Sequence, residues 1–318
     1  MRNLIFGLFI TSLAFQFTGC SEDCDSSDGV DNNQISLRAA VQTLSTRASL
    51  GPLNSNFTTD FPIGVYANNS TWKAGTTANV INNDLATVAG AAGHIVTFGG
   101  GPYYYPVDGS TLNFFAYAPQ GTEATPAGAG TAPFVNIPIT GQDDVMWCTA
   151  TGSKNGSNAP QAPVLNFQHR LTQLQFTFKS DATYPASGSV VTSLLVKAQP
   201  NVVNMNIGTG VCTYSGSADM QALSTANQTS GIAITSAGTN ANSPVVTAPA
   251  TGATAYALTI VVKPAGSSSN VTYNANVNIT TVIGSAHMIT LTFTGTAVTA
   301  TATVADWVIG TGGSVSVL

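Results

Sequence analysis

The feature that most constrains the fold of this chain is a strict alternation of apolar and polar residues in several short segments. Between Val271 and Ile279 every odd-numbered residue is apolar and every even-numbered residue is Asn or Thr. Further segments repeat this period, with the apolar residues Leu174, Phe176, Phe178; Val203, Met205, Ile207; and Tyr256, Leu258, Ile260, Val262. A period of two is that of a β-strand with one face in a core and the other in water.

These segments are separated by turns rich in Gly, Asn and Pro, and the sequence shows no convincing helical stripe. Many short strands joined by such turns predict an all-β fold of the sandwich type. Near the end of the chain the apolar parity changes, from Leu291 and Phe293 to Val298 and Ala300. We expect a bulge or a bend between sheets around Gly295–Ala297, because either would shift the phase.

Charged residues are scarce, and their balance excludes one class of partner. Asp, Glu, Lys and Arg make up 7% of the sequence, against about 25% in ordinary globular proteins. From residue 34 onward there are eight basic and nine acidic residues, a net charge of −1. Nucleic-acid binding needs a basic field, so we predict no nucleic-acid partner. Thr, Ser, Asn and Gly supply the polarity instead, which is typical of extracellular β proteins.

The chain is long enough for two domains. Turn-forming residues fill Ala150–Pro163 and no large apolar residue occurs there, which favours a boundary in this stretch. We therefore expect an N-terminal β-sandwich over residues 34–163 and a C-terminal β-sandwich over residues 164–318, each of ordinary domain size. The alternative is a long hairpin loop within one domain.

The first nineteen residues have the composition of an export signal. Arg2 precedes an apolar run, Leu4–Phe17, that is shorter than the roughly twenty residues of a membrane-spanning helix but suits a signal peptide. The following Gly19-Cys20 pair resembles the lipobox of bacterial lipoproteins. We therefore predict a signal peptide over residues 1–19 and lipid attachment to Cys20, with an ordinary secreted protein as the alternative.

An acidic stretch follows the signal and has two interpretations. Residues 20–33 hold five of the fourteen acidic residues and no Lys or Arg. Such a stretch buries too little apolar surface to order itself, which predicts a solvated, lipidated tether. Ser21-Glu22-Asp23 also resembles the signal that sends lipoproteins of Bacteroidales to the outer face of the outer membrane, which implies surface display.

The sequence lacks the patterns that catalytic, cofactor and metal sites require, so we predict a protein that is not an enzyme and needs no cofactor or metal. The three histidines, His94, His169 and His287, are dispersed along the chain. Asp143 and Asp144 are adjacent, and adjacent strand residues point to opposite faces. His169 follows a strand and is expected to hydrogen-bond a neighbouring loop.

Cys148 and Cys212 are the two cysteines that lie outside the leader and the tether. An oxidising exterior would permit a disulfide between them. Two buried free thiols are the alternative, and the sequence leaves both open.

Several aromatic, turn-linked segments follow one another along the chain: YYYPVDGSTLNFFAYAP (103–119), DDVMW (143–147), VLNFQHRLTQLQFTF (164–178) and Asp306-Trp307. In this order, behind a lipobox, they resemble the fimbrillin family of Bacteroidales, the type V pilins and their minor subunits. The resemblance implies two transthyretin-like β-sandwich domains, export as a lipoprotein, and assembly at the cell surface into adhesive fimbriae. In many members a trypsin-like protease cuts after an arginine near the N-terminus. A neighbour's strand then fills the groove left by the removed first strand.

The sequence contains segments that suit such a process. Residues 34–41 predict a removable first strand, whose apolar face consists of Ile35, Leu37, Ala39 and Val41. Arg38 lies on the opposite face within that strand, where paired backbone resists a protease. Arg47 lies in a polar connection of the kind that proteases cut, and is the candidate cleavage site, with a solvated loop arginine as the alternative.

At the other end of the sequence, Val315 and Val317 alternate with serines, so residues 313–318 are the candidate donor strand. We therefore expect a fimbrillin-like surface lipoprotein, a structural or tip subunit of an adhesive fimbria assembled by donor-strand exchange. Its partners would be other fimbrial subunits, the outer membrane through the lipid on Cys20, a maturation protease and, in adhesion, a host protein or glycan. The alternative is a surface-tethered binding module for glycan or host protein that does not polymerise.

Overall fold

The computed structural model describes residues 33–41, 57–74, 79–90, 93–154, 162–184, 188–250, 254–295 and 297–306. Up to residue 152 the strands are β1 (Leu37–Val41), β2 (Phe61–Asn68), β3 (Ile81–Val88), β4 (Ile95–Phe98), β5 (Leu112–Ala118), β6 (Thr122–Thr125), β7 (Phe134–Pro138) and β8 (Met146–Gly152). They are followed by β9 (Val164–His169), β10 (Thr172–Ser180), β11 (Val190–Gln199), β12 (Val202–Asn206), β13 (Cys212–Ser215) and β14 (Ala218–Gln221). After helix α1 (Thr225–Ser230) come β15 (Ile232–Ala233), β16 (Thr239–Asn240), β17 (Val245–Thr247), β18 (Thr254–Lys263), β19 (Val271–Ile279), β20 (Ser285–Phe293) and β21 (Val298–Asp306). The predicted all-β class is confirmed.

Seven strands between residues 37 and 169 close into a barrel in the order β1-β4-β3-β2-β5-β8-β9. Neighbouring strands are antiparallel except for β1 and β9, which are parallel. β1 is therefore the strand that closes the ring, between β4 and β9. The core of the barrel contains large buried side chains from several of these strands, among them Leu37, Ile63, Phe114 and Phe167.

The other paired strands of the described ranges form three sheets. Their orders are β13-β12-β7-β6, then β16-β10-β20-β21 with β17 also paired to β10, and β14-β11-β18-β19 with β15 also paired to β11. Side chains from all three sheets share a second core, which includes Val203, Phe178, Ile260 and Phe293. No helix in the described ranges has the length and apolar character needed to cross a membrane.

The predicted alternation is found in the central strands and is weaker at a sheet edge. Leu174, Phe176 and Phe178 of β10 are buried, as are Tyr256, Leu258, Ile260 and Val262 of β18. In β19, by contrast, Val277 is buried but Val271 is 40% exposed. β19 is the outermost strand of its sheet, so less of the opposite layer is available to cover its apolar face.

The change of apolar parity near residue 295 has a different cause from the one predicted. β20 and β21 are antiparallel neighbours, and Phe293 stands opposite Val298. The backbone amide of Thr294 donates a hydrogen bond to the carbonyl of Ala297 across the turn, at 2.8 Å. Opposite residues of a hairpin share one face of the sheet, so an even-numbered turn changes the parity without a bulge. The predicted bulge or bend between sheets is wrong.

The sheets do not change at the predicted domain boundary. β8 and β9, which flank it, are antiparallel neighbours in the barrel, with Met146 opposite His169. β7 precedes the boundary and β12 follows it, yet these two strands are paired, with Ile137 opposite Val203. One sheet thus takes strands from both sides of residue 163, and the division into two tandem sandwiches at that point stays a prediction.

The two cores meet along the outer face of the barrel. Tyr66, Phe115, Tyr117 and Trp147 project from β2, β5 and β8 into the second core, whereas their chain neighbours point into the barrel. In these strands, side chains on one face therefore pack in the barrel core, and side chains on the other face pack in the second core. The described residues belong to one compact unit that begins at Asn33.

Candidate functional site

β1 lies in a slot between β4 and β9 and pairs with both strands. On one side Leu37 stands opposite Val96 of the antiparallel β4. On the other side Arg38–Val41 runs opposite residues 164–167 of the parallel β9. The amide of Arg38 donates to the carbonyl of Pro163 at 3.0 Å, and that of Ala39 donates to the carbonyl of His94 at 2.9 Å. Backbone hydrogen bonds thus tie β1 to both neighbours.

The pairing continues before β1 begins. The amide of Ile35 donates to the carbonyl of Tyr103 at 2.8 Å, and the amide of Tyr105 donates to the carbonyl of Asn33 at the same distance. Residues 33–35 therefore pair with residues 103–105, and residues 37–41 pair with β4 and β9.

One face of this segment is buried without a break. Its apolar residues have exposed fractions of 3% for Ile35, 0% for Leu37, 4% for Ala39 and 2% for Val41. They join the barrel core together with Phe61 and Phe167, whose rings meet edge to face with centroids 6.1 Å apart. The predicted inward face of the first strand is therefore buried in full, while its removal during maturation stays a prediction.

The opposite face of β1 is exposed and has apolar neighbours. Arg38 stands opposite Ile95 on β4 and opposite Val164 on β9. Ile95 is 52% exposed and Val164 is 42% exposed. Arg38 itself lies within paired backbone on both sides, so a protease that needs an extended, unpaired substrate is expected to be excluded there.

A joint between the barrel and the second core is built around Trp147 of β8. Its ring Nε1 donates to the carbonyl of Ile207 at 2.8 Å, and the Arg170 guanidinium lies 4.8 Å above its ring. Gly210 has a φ of +66°, and a Cβ there would lie 2.5 Å from the Trp147 ring. The hydroxyl of Tyr214 donates to the Arg170 carbonyl at 2.9 Å. The segment between β12 and β13 therefore fits closely over one tryptophan.

The two cysteines near this joint are both free thiols in the described structure. Cys148 belongs to the barrel core, whereas Cys212 packs against the second core. Burial raises the pKa of both thiols, that of Cys212 to about 11. They are therefore protonated at neutral pH and are poor nucleophiles. Of the two possibilities that the sequence left open, the free thiols are found.

A second contact between the cores rests on two tyrosines of the barrel strands. The Tyr66 hydroxyl donates to Glu123 Oε2 at 2.9 Å, and the Tyr117 hydroxyl donates to Asn83 Oδ1 at 2.5 Å. Burial raises the pKa of both phenols, that of Tyr117 to about 12, and the hydrogen bond to Glu123 contributes for Tyr66. A Cβ on Gly64 would lie 2.3 Å from the Tyr117 ring, so glycine is required for this packing.

The adjacent aspartates serve separate contacts, as predicted, but the reason differs, because both lie in the loop before β8 and not on a strand. Asp143 Oδ2 accepts hydrogen bonds from the amide and the hydroxyl of Thr140, at 2.6 and 2.7 Å. The Asp144 carboxylate lies 3.0 Å from Nδ1 of His169. The predicted contact of His169 with a neighbouring loop is thus confirmed, because Asp144 lies in the loop before β8.

The other histidines lie in separate surroundings. His94 Nδ1 is 3.1 Å from the carbonyl of Ala89, and His287 is buried in β20, where burial lowers its pKa.

The described ranges contain no group of three or more side chains that could hold a metal ion. A small opening of about 50 Å³ lies beside β10, near Gln175 and Asn242. Pockets for small ligands typically have about 300–1,000 Å³.

The structure brings some of the predicted site residues together and does not describe others. The strand residues Ile35, Leu37, Ala39 and Val41 form one buried row. The lipidation candidate, the cleavage candidate and the donor pair lie outside the described residues: Cys20, Arg47, Val315 and Val317. Sequence reasoning missed the joint at Trp147 of β8, since its partners come from distant parts of the chain, Arg170 after β9 and Ile207 and Gly210 between β12 and β13. A conspicuous Trp in the DDVMW segment was the only signal available.

Sequence similarity places the chain in a known protein family. The chain matches the fimbrillin-like family over residues 46–307. It belongs to that family. A Bacteroides uniformis protein provisionally named fimbrium subunit Fim1C is 26% identical over 303 residues, covering 93% of this chain and 92% of that protein.

Two crystal structures share the fold of this fimbrillin-like chain. One is provisionally described as a cell adhesion protein from Bacteroides uniformis, with a TM-score of 0.56 and 19% identity, covering 87% of this chain and 99% of that one. The other has the same description and comes from Bacteroides ovatus, with a TM-score of 0.53 and 16% identity, covering 87% and 98%. At these identities the likeness concerns the fold alone.

Proposed function

We propose that this fimbrillin-like chain is a non-enzymatic subunit of an adhesive surface fimbria, and that it assembles by donor-strand exchange at β1. The observation that carries the proposal is the position of β1, which closes the barrel between β4 and β9. Membership of the fimbrillin-like family supports the fimbrial role. Similarity to a protein named as a fimbrium subunit supports it as well.

A barrel that has lost β1 is less stable than one in which another strand has taken its place. Loss of β1 would leave the facing edges of β4 and β9 unpaired, and such edges are templates for another strand. It would also uncover the core that Ile35, Leu37, Ala39 and Val41 now cover. Burial of each larger aliphatic side chain contributes about 1.5–3 kcal/mol. A strand from a second subunit that refilled the slot would recover most of this stabilisation.

Cleavage after Arg47 would separate β1 from the rest of the barrel. Arg47 follows β1 in the sequence and precedes β2. Arg38, the alternative arginine, lies in a strand that is paired on both sides, and proteases act on exposed, unpaired connections. We therefore assign maturation to Arg47.

We expect a trypsin-like protease to cut the purified precursor after Arg47 and the product to form polymers that resist dissociation in gels. Arg47→Ala should stay monomeric under the same protease, because β1 remains attached. Deletion of Gly313–Leu318 should block assembly without blocking cleavage, since it removes the candidate donor. Gel ladders and N-terminal sequencing of the product measure both steps.

The contrary outcome is a wild-type chain that is cut after Arg47 yet stays monomeric at high concentration. That result would exclude polymerisation by strand exchange. The tethered module that binds glycan or host protein would then be the better account of the chain.

We further propose that the precursor reaches the cell surface as a lipoprotein of the outer membrane, anchored through Cys20. Two or three acyl chains hold a soluble domain stably on a membrane. Cys20→Ala should abolish incorporation of radiolabelled fatty acid, whereas Cys24→Ala, four residues along the same acidic tether, should label normally. Equal labelling of the two variants would show that Cys20 is not the lipid attachment site.

A further inference from the structure

The slot of β1 imposes a size pattern on any strand that fills it. Over the seven positions Ile35–Val41 the inward places are taken by two large aliphatic residues, then a small one, then a large one. The small residue, Ala39, is 4% exposed and stands opposite Leu165 of β9. Extra volume in a well-packed core displaces its neighbours. A side chain larger than alanine is therefore disfavoured at the third inward place.

Of the windows in the last twelve residues of the sequence, 307–318, one comes nearest to this pattern, with threonine in the second large place. Ile309-Gly-Thr-Gly-Gly-Ser-Val315 places isoleucine, threonine, glycine and valine at alternate positions, where residues 35–41 have isoleucine, leucine, alanine and valine. The whole segment carries no charged residue, so its entry into an apolar core involves no desolvation of an ion.

Other windows of the same segment fit less well. A window that begins at Thr311 puts glycine in the place of the fully buried Leu37 and Val315 in the small third place. A window that begins at Trp307 puts glycine in the place of Val41. Each would leave a larger cavity than Thr311 leaves in the place of Leu37, and the cost of a cavity in a core rises with its volume.

We propose that residues Ile309–Val315 of a second copy of this chain fill the slot in the register and direction of β1. Ile309 then takes the place of Ile35, Gly313 that of Ala39 and Val315 that of Val41. The inference rests on the proposed strand exchange and specifies its register. It departs from the sequence prediction in two respects: the donor is residues 309–315 and not 313–318, and Val317 falls beyond the inward row, whose last residue is Val315.

The register predicts which outward residues become neighbours. Gly312 takes the place of Arg38, which stands opposite Val164 on the exposed face of β9. Cysteines at these two positions would face each other on the surface of the assembled barrel. A shift of the donor by two or four residues would bring Ser314 or Ser316 to that place instead.

Disulfide cross-linking between two preparations tests the register. The acceptor is Val164→Cys, and the donor is Gly312→Cys, Ser314→Cys or Ser316→Cys, all in a Cys212→Ser background and all matured by the trypsin-like protease before mixing. We expect the Gly312→Cys donor to cross-link at least tenfold faster than the other two. Maturation removes Cys20 and Cys24 with the N-terminal segment, and Cys148 is buried.

The outcomes separate the register from the strand exchange itself. The register is wrong if the Ser314→Cys or Ser316→Cys donor cross-links fastest. It is also wrong if polymer forms without any cross-link to Val164→Cys. Neither result contradicts strand exchange itself. Failure of the wild-type chain to polymerise after cleavage overturns both.

Matched substitutions in the donor give a second readout. Gly313→Leu should slow polymerisation at least tenfold because it overfills the third inward place, while Gly312→Leu, which points outward, should change the rate less than twofold. Val315→Asp should abolish assembly, while Val317→Asp should preserve it. Equal effects within either pair would contradict the register.

Discussion

Leu37→Ala is expected to lower the free energy of unfolding of the uncleaved chain by about 2–5 kcal/mol, the usual cost of truncating a buried leucine. Leu37 is 0% exposed and lies in the strand that closes the barrel. Urea denaturation measures the loss. The amides of residues 164–167 should also exchange with solvent faster, because β9 loses its cover when β1 opens locally.

Ser36→Ala is the matched control for this substitution. Ser36 is the chain neighbour of Leu37 but is exposed, so the free energy of unfolding should change by no more than about 0.5 kcal/mol. If the two variants unfold at the same urea concentration, β1 does not contribute to the barrel core in the way that its burial indicates. The proposed slot would then lose its energetic basis.

Trp147→Ala should be comparably damaging, with a loss of about 3 kcal/mol, the lower end for truncation of a large aromatic residue. The ring is half-buried, yet it contacts Gly210 and Arg170 and donates to the Ile207 carbonyl. Because these contacts join the barrel to the second core, we expect the wild-type chain to unfold in one transition and the variant to unfold in two. Urea titrations followed separately by fluorescence and circular dichroism should reveal the split.

Trp147→Phe separates the packing of the ring from its hydrogen bond. The variant retains an aromatic ring over Gly210 but removes the Nε1–H donor, so we expect a smaller loss of about 1–2 kcal/mol and a single transition. Unfolding of Trp147→Ala in one transition that coincides by both probes would mean that the joint does not couple the two cores.

The strands that the sequence predicted best are those with a neighbouring strand on each edge, such as β10 and β18. In β10 and β18 the large apolar residues at alternate positions, Leu174, Phe176 and Phe178 and Tyr256, Leu258, Ile260 and Val262, are all buried. Helix α1 was missed because none of its residues is buried, so it has no apolar stripe. Ser224 begins it by accepting a hydrogen bond from the amide of Asn227, a local capping contact that leaves only a weak trace in the sequence.

The alternation of Ile35, Leu37, Ala39 and Val41 by itself determined that this segment is a strand with one apolar face, because side chains of a strand alternate between two sides. Only the tertiary structure decided that this strand closes a barrel. Its parallel partner β9 comes more than one hundred residues later in the chain, and local periodicity carries no information about such pairing. The same holds for Trp147: the residues that contact it, Arg170 after β9 and Ile207 and Gly210 between β12 and β13, are brought against the barrel only on folding.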